Sequence, residues 1–328
     1  MKIAIDFLRD QSKERVEFAK QMGVTHAVVN ISPKGQKIDD PAKPWEYVHL
    51  LQKIKSFEDM GFTVSVVEGP SPLDNAKLGL PGRDEEIEIF RNLLRTLGQL
   101  NVRTVCYNWM PLVGWFRTNT NVPARGGARV TAYHHDLMRD APLTEAGIVN
   151  AGTMWENLEY FIKAVVPVAE ETGVRLAMHP DDPPVGSLMG IARVFTCADA
   201  FQRLLDMVPS AYNGITLCQG SFAAMGEDVP ALVTEFGRQK KIFFAHFRDI
   251  RGTGESFTEV FHDDGQTDMY ECMKRYYEIG YEDCLRPDHV PAMFGEENEN
   301  PGYSLLGNLF AVGYMKGLME AAGREIGK

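Results

Sequence analysis

Residues 242–250 read IFFAHFRDI, an apolar run broken by His246 and closed by Arg248 and Asp249. Three other segments share this form: VRLAMHP (174–180), GITLCQG (214–220) and CLRPDHV (284–290). Each is short and apolar, and each carries a metal-binding residue type at or near its end: His179, Cys218, His246 and Asp288. Helix-like stretches separate them. A strand with its return helix takes about 30 residues or more, so each candidate closes a different strand. In a barrel of parallel strands those ends gather at one face, where such folds place their chemistry.

Working outward, eight β-rich runs can be counted: 2–7, 25–30, 63–69, 103–109, 175–180, 215–220, 242–249 and 284–290. Continuous apolar character, rather than strict alternation, is what strands covered on both faces show. Amphipathic patterns fall between them over 13–22, 45–61, 85–100, 156–173, 198–208, 229–238, 268–280 and 303–322. Gly23, Gly61, Gly173 and Gly280 read as C-terminal caps, and Thr196 as the N-cap of the fifth helix. The alternation predicts a closed (β/α)8 TIM barrel spanning 1–328 as a single domain. A doubly wound open sheet is the alternative, weakened because no Gly-rich phosphate fingerprint follows the first strand. One connection is long. Residues 110–150 separate the fourth strand from its helix and carry Trp115, Phe116, Arg117, Arg125, Arg129 and Tyr133. They are expected to form a partly ordered flap over the C-terminal face.

Bulk properties narrow the function. The chain has 328 residues, 44% apolar and 24% charged, as in an ordinary globular protein. A net charge of −11 without a basic run disfavours nucleic acid and anionic membranes as partners. The N-terminus lacks the apolar core of a secretory signal, and no stretch approaches the roughly 20 apolar residues of a membrane span. Five cysteines, an odd number, suit reduced thiols in a cytoplasmic protein. A homo-oligomer, dimer or tetramer, is expected.

Taken singly, each metal candidate is weak: a strand-end histidine is more often structural, and a lone cysteine is more often a small buried hydrophobe. Four at equivalent positions on consecutive strands are harder to assign to chance. A thiolate points to Zn2+ before Mn2+, whereas open positions for oxygen ligands favour a harder ion. The residues leave that choice open. His289 follows Asp288 where the chain turns outward, within reach of a substrate. Tyr303 opens the last helix, whose dipole favours a phenolate and so a base. Arg248 shares the strand face of His246 and suits a carboxylate, either of a substrate or in an internal ion pair with Asp249 or Asp288. Asn108, Trp109 and Asp263, together with Asp181, Asp182 and His262, lie on strand-end loops. They line a polyhydroxylated ligand or cap those loops.

The segments MHPDDPP (178–184), LCQGS (217–221), FAHFRDI (244–250), FHDDGQTDM (261–269), RPDHVP (286–291) and NPGYSLLGNLFAVGYMKGL (300–318) resemble the mannonate dehydratase family, as does YNWMP at 107–111. The resemblance spans nearly the whole chain. It implies a TIM barrel of the xylose-isomerase-like kind, with Mn2+ held by His179, Cys218, His246 and Asp288, and Fe2+ or Zn2+ as alternatives. His289 and Tyr303 match the family's proposed proton-transfer residues, and the implied substrate is the sugar acid D-mannonate, in hexuronate degradation. Two other functions compete. One is a metal-dependent sugar isomerase or epimerase on the same barrel, against which Cys218 and the single aspartate argue. The other is a silent sugar-acid binder, against which the intact acid and base candidates argue.

Overall fold

The computed structural model describes residues 1–8, 10–31, 43–69 and 71–327. Eight strands run β1 (Lys2–Phe7), β2 (His26–Val29), β3 (Thr63–Glu68), β4 (Thr104–Asn108), β5 (Arg175–His179), β6 (Asn213–Cys218), β7 (Ile242–Phe247) and β8 (Cys284–Pro287). All are parallel to their neighbours and close into a barrel, with Lys2 opposite Cys284 and Ile3 opposite Leu285 sealing β1 to β8. The open-sheet alternative is therefore ruled out. The strands end earlier than the apolar runs suggested, because the final residues of those runs turn into the loops at the mouth.

Each strand is followed by a helix: α1 (Lys13–Gln21), α2 (Tyr47–Asp59), α3 (Arg83–Gln99), α4 (Ala151–Thr172), α5 (Ala198–Met207), α6 (Val229–Arg238), α7 (Met269–Glu278) and α8 (Leu305–Glu325). Side chains of Ser12, Asn150, Asp228 and Asp268 accept backbone N–H groups at the starts of α1, α4, α6 and α7. These bonds satisfy donors that the first turn leaves unpaired. Thr196 does not play this part for α5. Cys197 occupies the cap position there, without a side-chain bond. Gly173 ends α4 in the left-handed conformation (φ 68°), as a C-terminal glycine should.

Apolar side chains fill two layers. Outside the strands, Phe7, Phe57, Phe90, Phe161, Phe201 and Phe236 pack helices against the barrel wall. Inside lie Ala4, Val28, Val66, Cys106, Ala177 and Phe244. The period of two along a strand then turns the next inward positions toward the mouth: Glu68 above Val66, Asn108 above Cys106, His179 above Ala177 and His246 above Phe244.

The segment expected to be a flap is ordered and carries two strands, Asn119–Pro123 and Arg129–His134. They join two more from the β7–α7 connection, Ile250–Thr253 and Ser256–Glu259, in a four-stranded antiparallel sheet. Arg129 also exchanges two backbone hydrogen bonds with Ala292, beyond β8. Two insertions, remote in sequence, thus form one cover.

Candidate active site

His179 Nε2 and His246 Nδ1 lie 3.2 Å apart, and Asp288 Oδ2 lies 3.3 Å from the same His246 nitrogen. Cys218 Sγ accepts from Ser221 Oγ at 3.3 Å and lies, with ring nitrogens of both histidines, in one group of atoms within 4.8 Å. The four residues singled out at strand ends therefore converge. Cys218, His246 and Asp288 are almost wholly buried.

Electrostatics sharpen the cluster. Burial opposes ionisation of the Cys218 thiol, but Arg248 and both imidazoles bring its pKa well below the ordinary value. Burial likewise opposes ionised Asp288, and Arg286, His289 and His246 overcome it. For His246, burial and Arg286 push downward, yet Glu68 and Asp288 raise it to about 10. The pocket thus concentrates anionic donors around two imidazoles and calls for a positive charge at its centre.

The donor set fits a metal. Two metal–nitrogen bonds of about 2.1 Å at a near-tetrahedral angle separate the nitrogens by roughly 3.4 Å, close to the observed spacing. A hydrogen bond orients one ring and an ion-pair contact the other. His179 Nδ1 is 2.7 Å from the Pro180 carbonyl, which can only accept, so Nε2 keeps its lone pair. His246 Nε2 faces Glu68 Oε2 at 3.5 Å, so Nδ1 is turned toward the cluster. Partners of this kind fix the tautomer of ligating histidines.

Glu68 was not among the residues read from sequence, although its inward place at the end of β3 is what alternation predicts. It receives Arg286 Nε and Nη2 at 3.2 and 3.1 Å. Burial opposes its charge, and Arg286 and His246 pull its pKa down to about 2.

Arg248 does not match the expectation of a free grip on a substrate carboxylate. Its Nη1 donates to both oxygens of Glu259 at 3.0 Å, its Nη2 donates to Asp182 at 2.8 Å and to Ser221, and its Nε lies 3.2 Å from Asp288. All its donors face groups of the protein itself. Gly220 makes room for it: a Cβ there would stand 2.4 Å from Arg248 Nη1. Trp109 is also displaced from the expected role. It is fully buried, donates its indole N–H to Met154 O and packs on Phe161 of α4, on the outer side of the wall. Asp263 lies at the rim, both its oxygens taken by Arg125 of the flap at 2.9 and 3.0 Å. Asn108 does face the mouth, where Oδ1 accepts from Lys77 Nζ at 3.2 Å and from Met110 N.

His289 and Tyr303 face one another, rings 5.9 Å apart and nearly perpendicular. The helix does not open at Tyr303. It starts at Leu305 after Ser304, so Tyr303 precedes the cap and is instead fixed by a bridge to Val290 and by Arg15, which donates to its carbonyl.

The family model described as D-mannonate dehydratase (UxuA) matches residues 1–149 and 143–327. A mannonate dehydratase of Thermotoga neapolitana is 36% identical over 312 residues, covering 84% of this chain and 86% of its own. This chain belongs to the D-mannonate dehydratase family. Mannonate dehydratase 2 of Halalkalibacterium halodurans is 32% identical over 352 residues, covering 98% and 99%. The crystal structure of mannonate dehydratase from Streptococcus suis serotype 2 superimposes with a TM-score of 0.90 at 31% identity, over 100% of this chain and 95% of that one. A xylose isomerase domain protein from Planctomyces limnophilus, at 12% identity and a TM-score of 0.63, shares the fold alone. The barrel is accordingly of the xylose-isomerase-like kind. Sequence reasoning named Asp182 on a strand-end loop and Arg117 in the flap, but it did not name Glu259 or bring the three together. These residues sit in connections without periodic pattern.

Proposed function

We propose that the chain dehydrates D-mannonate to 2-dehydro-3-deoxy-D-gluconate and water. The observation that carries this, beside family membership, is the meeting of His179, Cys218, His246 and Asp288 next to the facing pair His289 and Tyr303. These four side chains would hold a divalent ion, read as Mn2+ with Fe2+ or Zn2+ as alternatives. Such an ion supplies Lewis-acid stabilisation of the charge that grows on the carboxylate side during elimination.

The chain's own residues do the rest. Of His289 and Tyr303, one takes the proton from C2 and the other gives a proton to the hydroxyl leaving C3. The C2–H and C3–O bonds break, a C2=C3 double bond forms, and water departs. The resulting enol ketonises to the 2-keto-3-deoxy acid, so atoms and charge balance. Burial of His289 beneath the cover excludes bulk water from the proton transfer it takes part in. Asn108, at the mouth, is read as a contact for a substrate hydroxyl.

We read 1–328 as one folding unit with 110–150 as its lid, acting in the cytoplasm in hexuronate degradation. The five cysteines are free, and no helix among the described residues is long and apolar enough to cross a membrane. A homo-oligomer, dimer or tetramer, is supported by the exposed apolar side chains of Leu137, Ile148 and Phe294; light scattering tests it. The reaction is tested by supplying D-mannonate and detecting the 3-deoxy-2-keto product with thiobarbiturate. Product formation is expected. An isomerase, an epimerase or a silent binder would give none.

A further inference from the structure

His289 does not hang freely at the mouth. Its backbone lies in the left-handed region at φ 46°, which disfavours a residue with a side chain. The strained turn is held by Val290 N, which donates to Gly302 O at 2.8 Å. The ring is packed by Trp115 of the flap, centroids 5.2 Å apart, and by Tyr303 on another side. Its Nδ1 lies 2.9 Å from Glu259 Oε1 and 3.4 Å from Arg117 Nη2, and the shorter contact, to the carboxylate, orients the ring.

Glu259 is itself immobilised. It is the last residue of the strand Ser256–Glu259 and pairs with Ile250. Arg248 bonds both its oxygens, and Arg117 reaches it from the flap. Asp182 closes the lattice, accepting from both arginines. Two guanidinium groups and two carboxylates thus hold one another in place. What they give the imidazole is direction. An anchored acceptor holds the proton on Nδ1 and aims Nε2 at the cluster side, where Asp288 Oδ1 stands 3.6 Å away.

We propose that Glu259 is a positioning residue for His289, and that the sheet shared by the two insertions exists in part to carry it there. Glu259 does not touch the reacting atoms. It selects the ring plane and the tautomer, as a buried carboxylate does for a catalytic histidine elsewhere. The inference rests on the proton-transfer role read for His289, and His289→Asn tests that role separately.

The experiment compares Glu259→Leu and Glu259→Gln in the full chain, measuring kcat and KM on D-mannonate, bound metal per chain, and the ring-nitrogen NMR signals of His289 with diamagnetic Zn2+ bound. Glu259→Gln keeps an acceptor oxygen and is expected to lose about 10–100-fold in kcat. Glu259→Leu is expected to lose about 100–10,000-fold. KM and metal content should stay within about threefold of wild type in both, a range well below the smallest kcat loss expected. Wild type should show one tautomer with the proton on Nδ1, and Glu259→Leu a mixture. If Glu259→Leu fails to fold, the Gln variant carries the test through its kcat loss with KM and metal retained. The inference is overturned if either variant keeps wild-type kcat, if metal is lost in step with activity, or if the Gln variant is as impaired as the Leu variant. Full activity in His289→Asn would remove the underlying role as well. Activity in Glu259→Leu beside an inactive His289→Asn would remove only this inference.

Discussion

Strands β5 to β8 deliver His179, Cys218, His246 and Asp288 from four consecutive strand ends, whereas Arg117, Asp182, Arg248 and Glu259 meet from segments beyond the strands. The first group is a floor set by barrel geometry: alternation along each strand decides which residue looks inward. The second is a roof set by pairing between two insertions, and nothing local to either one specifies it. The floor gathers donors suited to a cation. The roof pairs its charges internally and presents a histidine. The difference separates what binds from what aims.

The comparison can be broken or sharpened by experiment. The largest effect should come where floor and roof meet: His289→Asn should lower dehydration by about 100–10,000-fold while leaving metal content near wild type. Full activity in that variant would remove His289 from the chemistry. Next, Arg117→Met removes a buried cation from between Asp182 and Glu259. Breaking such a pair leaves uncompensated charge and should cost about 3–5 kcal/mol of stability by denaturant unfolding. A loss below about 1 kcal/mol, the scale of an exposed pair, would show that the roof is not a load on the fold.

A third effect is pH-dependent. His262 is buried between the two layers, and burial lowers its pKa to about 4, outweighing the opposing pull of Asp288 and Glu259. The unfolded chain would take up a proton near pH 6.5 that the folded chain refuses until about pH 4. Its contribution is therefore complete above pH 6.5 and is lost as pH falls through that window, by roughly 3 kcal/mol. His262→Leu should flatten this part of the stability profile, and an unchanged slope would contradict it. The smallest effect is expected at the rim. Asp263→Ala breaks an exposed pair with Arg125 and should change stability by less than about 1 kcal/mol, with KM unaltered. A large rise in KM would return Asp263 to the substrate contacts first expected of it.

How much could be read beforehand follows the same division. The barrel, its eight helices and the four floor residues were visible because a buried parallel strand is a short apolar run, and a polar residue closing it is conspicuous. Glu68 was equally visible in principle, since TVSVVEG places it inward above Val66. Trp109 was misplaced for want of the same parity argument: if Asn108 faces the mouth, its neighbour faces α4. Arg248 was read as gripping a substrate carboxylate or pairing with Asp249 or Asp288, and the carboxylates it faces belong to Asp182, Glu259 and Asp288. No pattern in 110–150 or 250–268 announces that the two segments share a sheet, because antiparallel pairing across more than a hundred residues leaves no periodic trace.

The central claim is that four side chains from four strands hold one divalent ion beside His289 and Tyr303. Anomalous diffraction from crystals of the full chain grown with Mn2+ tests it most directly. The account predicts a single strong peak within bonding distance of His179 Nε2, Cys218 Sγ, His246 Nδ1 and an Asp288 oxygen. A peak elsewhere, or one that persists unchanged when Cys218 and Asp288 are both replaced by alanine, would contradict it.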